Sequence, residues 1–101
     1  MKALNEIKTV DLYTKEFTDI YGNTYYSSRI TVNFGMKDCV EYVDPYQYGY
    51  GSACEYSCMD ILREHYTNIP PNLRDLREFG VIIRTFKKED LKRNVVNFGR
   101  I

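Results

Sequence analysis

The sequence has no tryptophan, one histidine and three cysteines among its 101 residues. A small, odd number of widely spaced cysteines does not build the disulfide framework of a secreted domain, so we expect reduced thiols. No segment approaches the roughly 20 apolar residues of a membrane span, and the stretch from Met1 to Val10 lacks the apolar core of a signal peptide. These absences predict a cytoplasmic protein with no membrane partner.

An excess of either charge is also missing, because 14 Lys and Arg balance 14 Asp and Glu. This balance argues against an acidic DNA mimic and against a strongly basic, nonspecific nucleic-acid binder. Basic residues are nevertheless concentrated late in the chain, so nucleic-acid binding is an alternative function. Exposed tyrosines would then stack on bases, and the residues that contact phosphates would be Arg84, Lys87, Lys88, Lys92 and Arg93.

The strands are indicated by alternating apolar and polar residues and by β-branched or aromatic runs. Turn residues between the first three segments predict an antiparallel meander, to which a fourth strand is added late in the chain. The predicted strands are Val10–Lys15, Tyr25–Phe34, Cys39–Val43 and Val81–Phe86.

The main helix is predicted from about residue 53 to residue 66, since Ser52 and Glu55 have the spacing of a capping box. A shorter helix is expected after Asn72, ending near Gly80. The basic end is predicted as a helical turn over residues 88–93, followed by an edge strand or frayed tail over residues 95–101. Together these elements predict one α+β domain over residues 1–101, an antiparallel sheet of three to five strands with one main helix packed on one face.

Ten tyrosines are the most unusual feature of the composition. Tyr46, Tyr48 and Tyr50 alternate in a segment expected to be a loop, and would project to one side if that segment is extended. One interpretation places them as a packed crossover between sheet and helix. The other places them on an exposed contact surface, since tyrosine is favoured in binding hot spots. In that case Arg74 and Arg77 would form part of the rim.

A catalytic or metal site is not indicated by the sequence. Structural zinc sites usually show short ligand pairs, and Cys39, Cys54, Cys58 and His65 show none. Cys58 and His65 would lie about 10 Å apart along a helix, too far for direct proton transfer. We therefore expect no enzyme, no cofactor and no metal. The helix start after Gly51 could bind an anion, which keeps a small-ligand or nucleotide-sequestering protein as a further alternative.

The segments Gly22-Asn23-Thr24-Tyr25 and Tyr46-Gln47-Tyr48-Gly49-Tyr50-Gly51, followed by Tyr56 in an apolar helix, resemble small uncharacterised bacteriophage and prophage proteins. The resemblance covers about residues 7–66. It implies that the protein is located in the cytoplasm of a bacterial host. By analogy with phage inhibitors, including anti-CRISPR proteins, it also implies a non-enzymatic binder. Such a binder would inhibit or modulate a host protein or nucleoprotein complex, for example a defence nuclease. A homodimer through a strand at residues 95–98 stays open.

Overall fold

The computed structural model describes residues 1–100 and shows an α+β fold, as predicted. A four-stranded sheet and a two-stranded sheet are combined with three α-helices. No helix within residues 1–100 has the length and apolarity needed to cross a bilayer. In chain order the elements are β1 (Lys2–Ala3), a 3₁₀ turn (Leu4–Glu6), β2 (Thr9–Thr18), β3 (Thr24–Val32), β4 (Val40–Tyr48), α1 (Ala53–His65), β5 (Tyr66–Thr67), α2 (Leu73–Glu78), β6 (Ile82–Glu89) and α3 (Lys92–Phe98).

The main sheet has the strand order β4-β3-β2-β6. The pairs β2–β3 and β3–β4 are antiparallel, which confirms the predicted meander. The fourth strand is parallel to β2, so the prediction of an antiparallel sheet is correct only in part. The chain crosses one face of the sheet through α1 and α2 before β6 begins, and such a long crossover is what a parallel pair requires. The Ile82 amide then donates to the Lys8 carbonyl at 3.0 Å.

The hydrophobic core lies between α1 and one face of the main sheet, which we call the helix-covered face. The alternation in β2 and β3 turns their apolar side chains to this face, and α1 meets them with a buried apolar stripe. The helix begins and ends close to the predicted bounds, but the Ser52 side chain makes no capping bond. The core includes Val10, Leu12, Ile30, Val32, Cys58, Met59 and Leu62.

The predicted short helix is confirmed as α2. Its Asn72 side chain accepts a hydrogen bond from the Asp75 amide at 2.9 Å, as an N-cap residue does. Gly80 follows it with a φ of 88°, in the left-handed region expected beyond a helix C-terminus.

The end of the chain differs from its prediction. Residues 88 and 89, expected in a helical turn, continue β6. The helix α3 occupies most of the segment expected as an edge strand. A homodimer paired through a strand at residues 95–98 is therefore ruled out, because those residues are helical. The Asp90 carboxylate accepts from the Leu91 amide and from Asn94 Nδ2, both at 2.7 Å, which favours a helix here. This helix covers the second face of the sheet, so the prediction of a single packed helix was also incomplete. Ile101, the last residue of the predicted strand, lies outside the described residues.

Candidate functional site

A groove of about 430 Å³ crosses the second face of the main sheet, beside α3. We call it the sheet groove. All four strands of the main sheet contribute outward-facing side chains to its floor, α3 forms one wall, and the turn after β3 contributes an exposed phenylalanine. It is lined by Asp11, Tyr13, Arg29, Thr31, Phe34, Glu41, Arg84 and Phe98.

A bidentate ion pair fixes one side of the sheet groove. Asp11 on β2 and Arg84 on β6 are direct neighbours in the parallel register. The guanidinium donates through Nε at 2.6 Å and through a terminal nitrogen at 3.0 Å. This fork geometry holds a long side chain in one orientation. The hydrogen bond from Arg84 to Asp11, with the charge of that carboxylate, raises the pKa of Arg84 above its ordinary value.

The second arginine of the sheet groove is held by α3. Arg29 Nε donates to the Phe98 carbonyl at 3.1 Å. Its guanidinium carbon also lies 4.7 Å from the centre of the Phe98 ring, a cation–π contact. A weaker contact joins Arg29 to Glu41 at 3.9 Å. Two residues, Phe98 through its carbonyl and ring and Glu41 through its carboxylate, therefore orient this cation before any ligand arrives.

Aromatic rings supply the apolar part of the same surface. Tyr13 contacts Phe98 at 5.2 Å and Phe86 at 4.7 Å between ring centres. These three rings form a continuous row from α3 to the edge strand. Phe34 lies in the turn after β3 and is 68% exposed, and Phe86 is 53% exposed. Exposed apolar rings that adjoin one another are typical of interaction sites, whereas single exposed rings are common on any surface.

The docking of α3 is what closes the sheet groove on one side. The Ser27 hydroxyl donates to the Val95 carbonyl from the floor of the sheet. At the helix end, a Cβ on Gly99 would lie 2.8 Å from the Tyr46 amide nitrogen and 3.1 Å from Pro45 Cα. The helix therefore approaches β4 more closely than any other residue type would allow.

Tyr46 and Tyr48 lie on the same face as the sheet groove, beyond α3. The strand β4 continues through Pro45 to Tyr48, where the sequence predicted a loop from residue 45. An irregularity in its pairing with β3 absorbs the proline. The Tyr25 ring stacks on Tyr46 at 5.4 Å and meets Tyr48 edge-on at 5.6 Å. Tyr48 is 60% exposed and Tyr50, at the start of the crossover, is 69% exposed.

Arg74 and Arg77 lie elsewhere. Both are exposed on α2 and line a separate polar cleft of about 340 Å³ with the start of α1. The Ser52 and Tyr56 side chains share this cleft. The two arginines therefore lie beside the helices of the helix-covered face, whereas Tyr46 and Tyr48 lie on the opposite face. The sequence analysis had grouped these residues as one surface, but in the fold they lie on opposite faces of the main sheet.

Two of the five basic residues proposed for phosphate contacts already have acidic partners. Arg84 is paired with Asp11, and Lys87 Nζ lies 3.8 Å from Glu16 and donates to the Gly51 carbonyl at 2.7 Å. The other three are exposed and make no ion pair within residues 1–100. They are Lys88 on β6 and Lys92 and Arg93 on α3.

The thiols and the histidine do not form a site. Cys39 is exposed, whereas Cys54 and Cys58 are buried. Burial raises the pKa of the Cys58 thiol to about 12, so it is protonated at neutral pH. His65 stacks on Tyr42 with 4.3 Å between ring centres. Within residues 1–100 no cluster of three His, Cys, Asp or Glu side chains could hold a metal ion.

Most residues of the sheet groove were missed by the sequence analysis. The outward positions of β2, β3 and β6 combine aromatic and charged residues, and this composition was visible in the sequence. The pairing of β6 with β2 and the docking of α3, which bring those positions together, were not. Comparisons with protein-family models, with curated proteins and with solved structures found no match to this chain. The phage resemblance and the bacterial location therefore stay predictions.

Proposed function

We propose that this protein is a non-enzymatic binding module whose sheet groove holds a segment of a partner protein. The observation that carries the proposal is an open groove in which aromatic rings, one of them exposed, lie beside arginines held by partners of their own. Aromatic residues and arginine are the types enriched at the centres of protein interfaces. Side chains fixed before binding lose little conformational entropy when the partner arrives.

The charge within the sheet groove favours a protein over a nucleic acid. Its two arginines face two carboxylates, Asp11 and Glu41, so its formal charge is zero. Affinity for nucleic acid rests on uncompensated cations that displace counterions. A groove of neutral net charge and aromatic walls offers little of that attraction. Nucleic-acid binding through Lys88, Lys92 and Arg93 stays a second proposal, carried by their exposure without ion pairs.

The shape of the sheet groove also favours a protein segment over a small molecule. Small-ligand sites enclose most of the ligand surface within walls on several sides. Here Phe34 and Phe86 project into solvent at the rim, where only a partner larger than the groove would cover them. The polar cleft beside Arg74 and Arg77 belongs to the alternative of small-anion binding.

The partner class that we propose is a host protein or nucleoprotein complex, which the module would inhibit or modulate by occupying a surface. This part rests on the phage resemblance and on the small size of the domain. In the same proposal the protein works in a bacterial cytoplasm, without cofactor or metal. The tyrosines Tyr46, Tyr48 and Tyr50 would extend the contact beyond α3.

The proposal is tested by affinity capture from a bacterial lysate with matched variants. Phe34→Ser removes an exposed ring, and Arg84→Ser removes one fixed arginine, and both substituted side chains are exposed. We expect each variant to remain folded by circular dichroism and to lose at least tenfold of the bound partner, since hot-spot side chains contribute about 2 kcal/mol or more. Capture should persist after nuclease treatment.

Tyr21→Ala is the matched control. This ring is 83% exposed in the turn before β3, at the far end of that strand from Phe34. The two positions are about 30 Å apart at the usual rise of a strand. Equal loss of partner in the control and in Phe34→Ser would contradict the proposal, as would loss of all bound protein on nuclease treatment.

A further inference from the structure

One edge of β6 is unpaired and is not part of the sheet groove. β6 is at the end of the strand order and pairs only with β2. The Ile82 amide donates to Lys8 and the Asp90 amide donates to Glu16, so the even-numbered residues direct their amides toward β2. In a strand the alternate residues point the other way. The amides and carbonyls of Ile83, Thr85 and Lys87 therefore face outward.

This edge lacks several of the devices that usually protect an open strand, although it carries charged side chains that include Lys87 and Lys88. It runs for eight residues from Ile82 to Glu89, without proline or glycine, and nearly all of it is exposed. Edge strands in soluble proteins are normally short, bulged, covered or charged, above all with lysine, and of these devices β6 has only the charges. Two of its cations, Arg84 and Lys87, are already compensated by carboxylates on β2, so the edge carries little free charge to select an acidic peptide.

The order of side chains on β6 fits an antiparallel copy of itself in one register. Residues whose amides and carbonyls face outward must lie opposite one another, so the second strand can shift along the first only by two residues at a time. With Thr85 on the two-fold axis, Arg84 lies opposite Phe86 of the second copy, and Ile83 lies opposite Lys87. No like charges are then opposed. A shift of two residues in one direction places Arg84 opposite Arg84 of the second copy, and a shift in the other direction places it opposite Lys88. Like charges directly across a strand pair are unfavourable.

We propose that two copies of this chain associate through β6, antiparallel about a two-fold axis at Thr85. The pairing forms about six backbone hydrogen bonds and joins the two main sheets into one. It places Arg84 beside the Phe86 ring of the second copy, so the two sheet grooves continue across the axis. Isologous pairing of this kind closes at two copies. The dimer is a separate claim from the proposed function, since each sheet groove is complete within one chain.

Disulfide cross-linking tests the register directly. Cross-strand neighbours in a hydrogen-bonded pair have Cα atoms about 5.5 Å apart, within the range that a disulfide spans. In a Cys39→Ser background, Thr85→Cys should form a covalent dimer under mild oxidation. Glu89→Cys is the matched control, because its two copies would lie about 25 Å apart in the proposed register at the usual strand rise. Equal cross-linking at both positions indicates random collision and overturns the proposal.

Sedimentation tests the association without a cross-link. We expect a concentration-dependent dimer with a dissociation constant on the order of 100 μM, since a single strand pair is smaller than a standard interface. Thr85→Lys places two ammonium groups opposite each other and should weaken the dimer at least tenfold, whereas Thr67→Lys on β5 should not. A monomer at every concentration, or a dimer that Thr85→Lys leaves unchanged, overturns the proposal. Either outcome would leave the capture result for Phe34→Ser unaffected.

Discussion

Arg29 and Arg84 show how single residues determine the character of the sheet groove. Each is held by partners from a different element, Arg29 by α3 and Arg84 by β2. Free arginines on a surface would attract phosphates of any sequence. Arginines fixed by carboxylates and ring faces instead present a planar, oriented hydrogen-bonding edge, which suits recognition of backbone and polar groups of a protein.

Asp44 is the residue that most clearly costs stability. It is only 3% exposed, on the helix-covered face, and its Oδ2 has no hydrogen-bond partner within the described residues. Gln47 Nε2 donates to the other oxygen at 2.6 Å. Burial is the largest influence and raises the pKa of the Asp44 carboxyl above 3.8, whereas Ser57 and Gln47 lower it in part. The charged form is therefore disfavoured in the folded protein.

We predict that Asp44→Asn stabilises the protein at neutral pH by about 1 kcal/mol, because it removes a buried charge and keeps the acceptor for Gln47. Since the folded pKa is raised, the folded state holds the proton more tightly. The contribution of Asp44 to stability should therefore be fully present below its ordinary pKa of 3.8 and be lost as pH rises from there through the raised pKa. The advantage of Asn should shrink toward acid pH.

Urea unfolding at several pH values measures this difference, with Glu64→Gln as the control. Glu64 is an exposed acid on α1, so its substitution should change the free energy of unfolding little. An Asp44→Asn variant that is less stable than the parent at neutral pH would show that the carboxylate is stabilised by interactions we have not identified.

At the scale of elements, α3 determines whether the sheet groove exists. Its docking rests on Val95 against the sheet, on the Asp90 carboxylate at its start and on the close approach of Gly99 to β4. The hydrogen bond from Asn94, followed by that from the Leu91 amide, lowers the pKa of Asp90. A lowered pKa means that this support is present above the ordinary pKa and is lost as pH falls through the folded value.

We predict that Gly99→Ala displaces α3 and costs about 1–3 kcal/mol of stability, since overpacking a close backbone contact forces atoms apart. Amide hydrogen exchange should show faster exchange in α3 with little change in the β2–β3 pair. Asn97→Ala is the control, because Asn97 is exposed on the same helix. Unchanged exchange and stability in Gly99→Ala would mean that α3 docks without the close contact.

The elements differ in how far the sequence could specify them. The meander and α1 follow from local signals, alternation in β2 and β3 and the apolar stripe with Cys58 and Leu62, so they were predicted. The pairing of β6 with β2 depends on where the long crossover brings the chain back to the sheet, and no local sequence pattern predicts that position. The helix α3 is short, and its buried residue Val95 is of a type that is enriched in strands. Its helical state depends on Asp90 and on contacts with β2 and β3.

The same limit applies to the sheet groove. Tyr13, Arg29 and Arg84 belong to three strands, and their meeting requires the strand order, which tertiary contacts decide. Tyr46, Tyr48 and Tyr50 were selected because they are close in sequence, so they could be proposed as a contact surface without the fold. Arg74 and Arg77 were added on the expectation of one surface, and the two faces of the sheet separate them from Tyr46 and Tyr48.

At the scale of the molecule, the two faces of the main sheet differ in composition and in how far helices cover them. The helix-covered face holds the core, whereas the other face is only partly covered by α3 and displays aromatic and charged residues. Association through β6 would double that second face without changing the first. Under the proposed function, the whole molecule is a small scaffold that presents this second face to a partner.

Site-specific photo-cross-linking in living bacteria tests the central claim most directly. A photoreactive phenylalanine analogue would replace Phe34 in the sheet groove, Tyr48 beyond α3, or Tyr21 at the far end of the sheet. We predict a discrete protein adduct from position 34, a weaker adduct with the same protein from position 48, and none from position 21. Equal adducts from all positions, or adducts with nucleic acid alone, would contradict the account of the sheet groove as a protein-binding site.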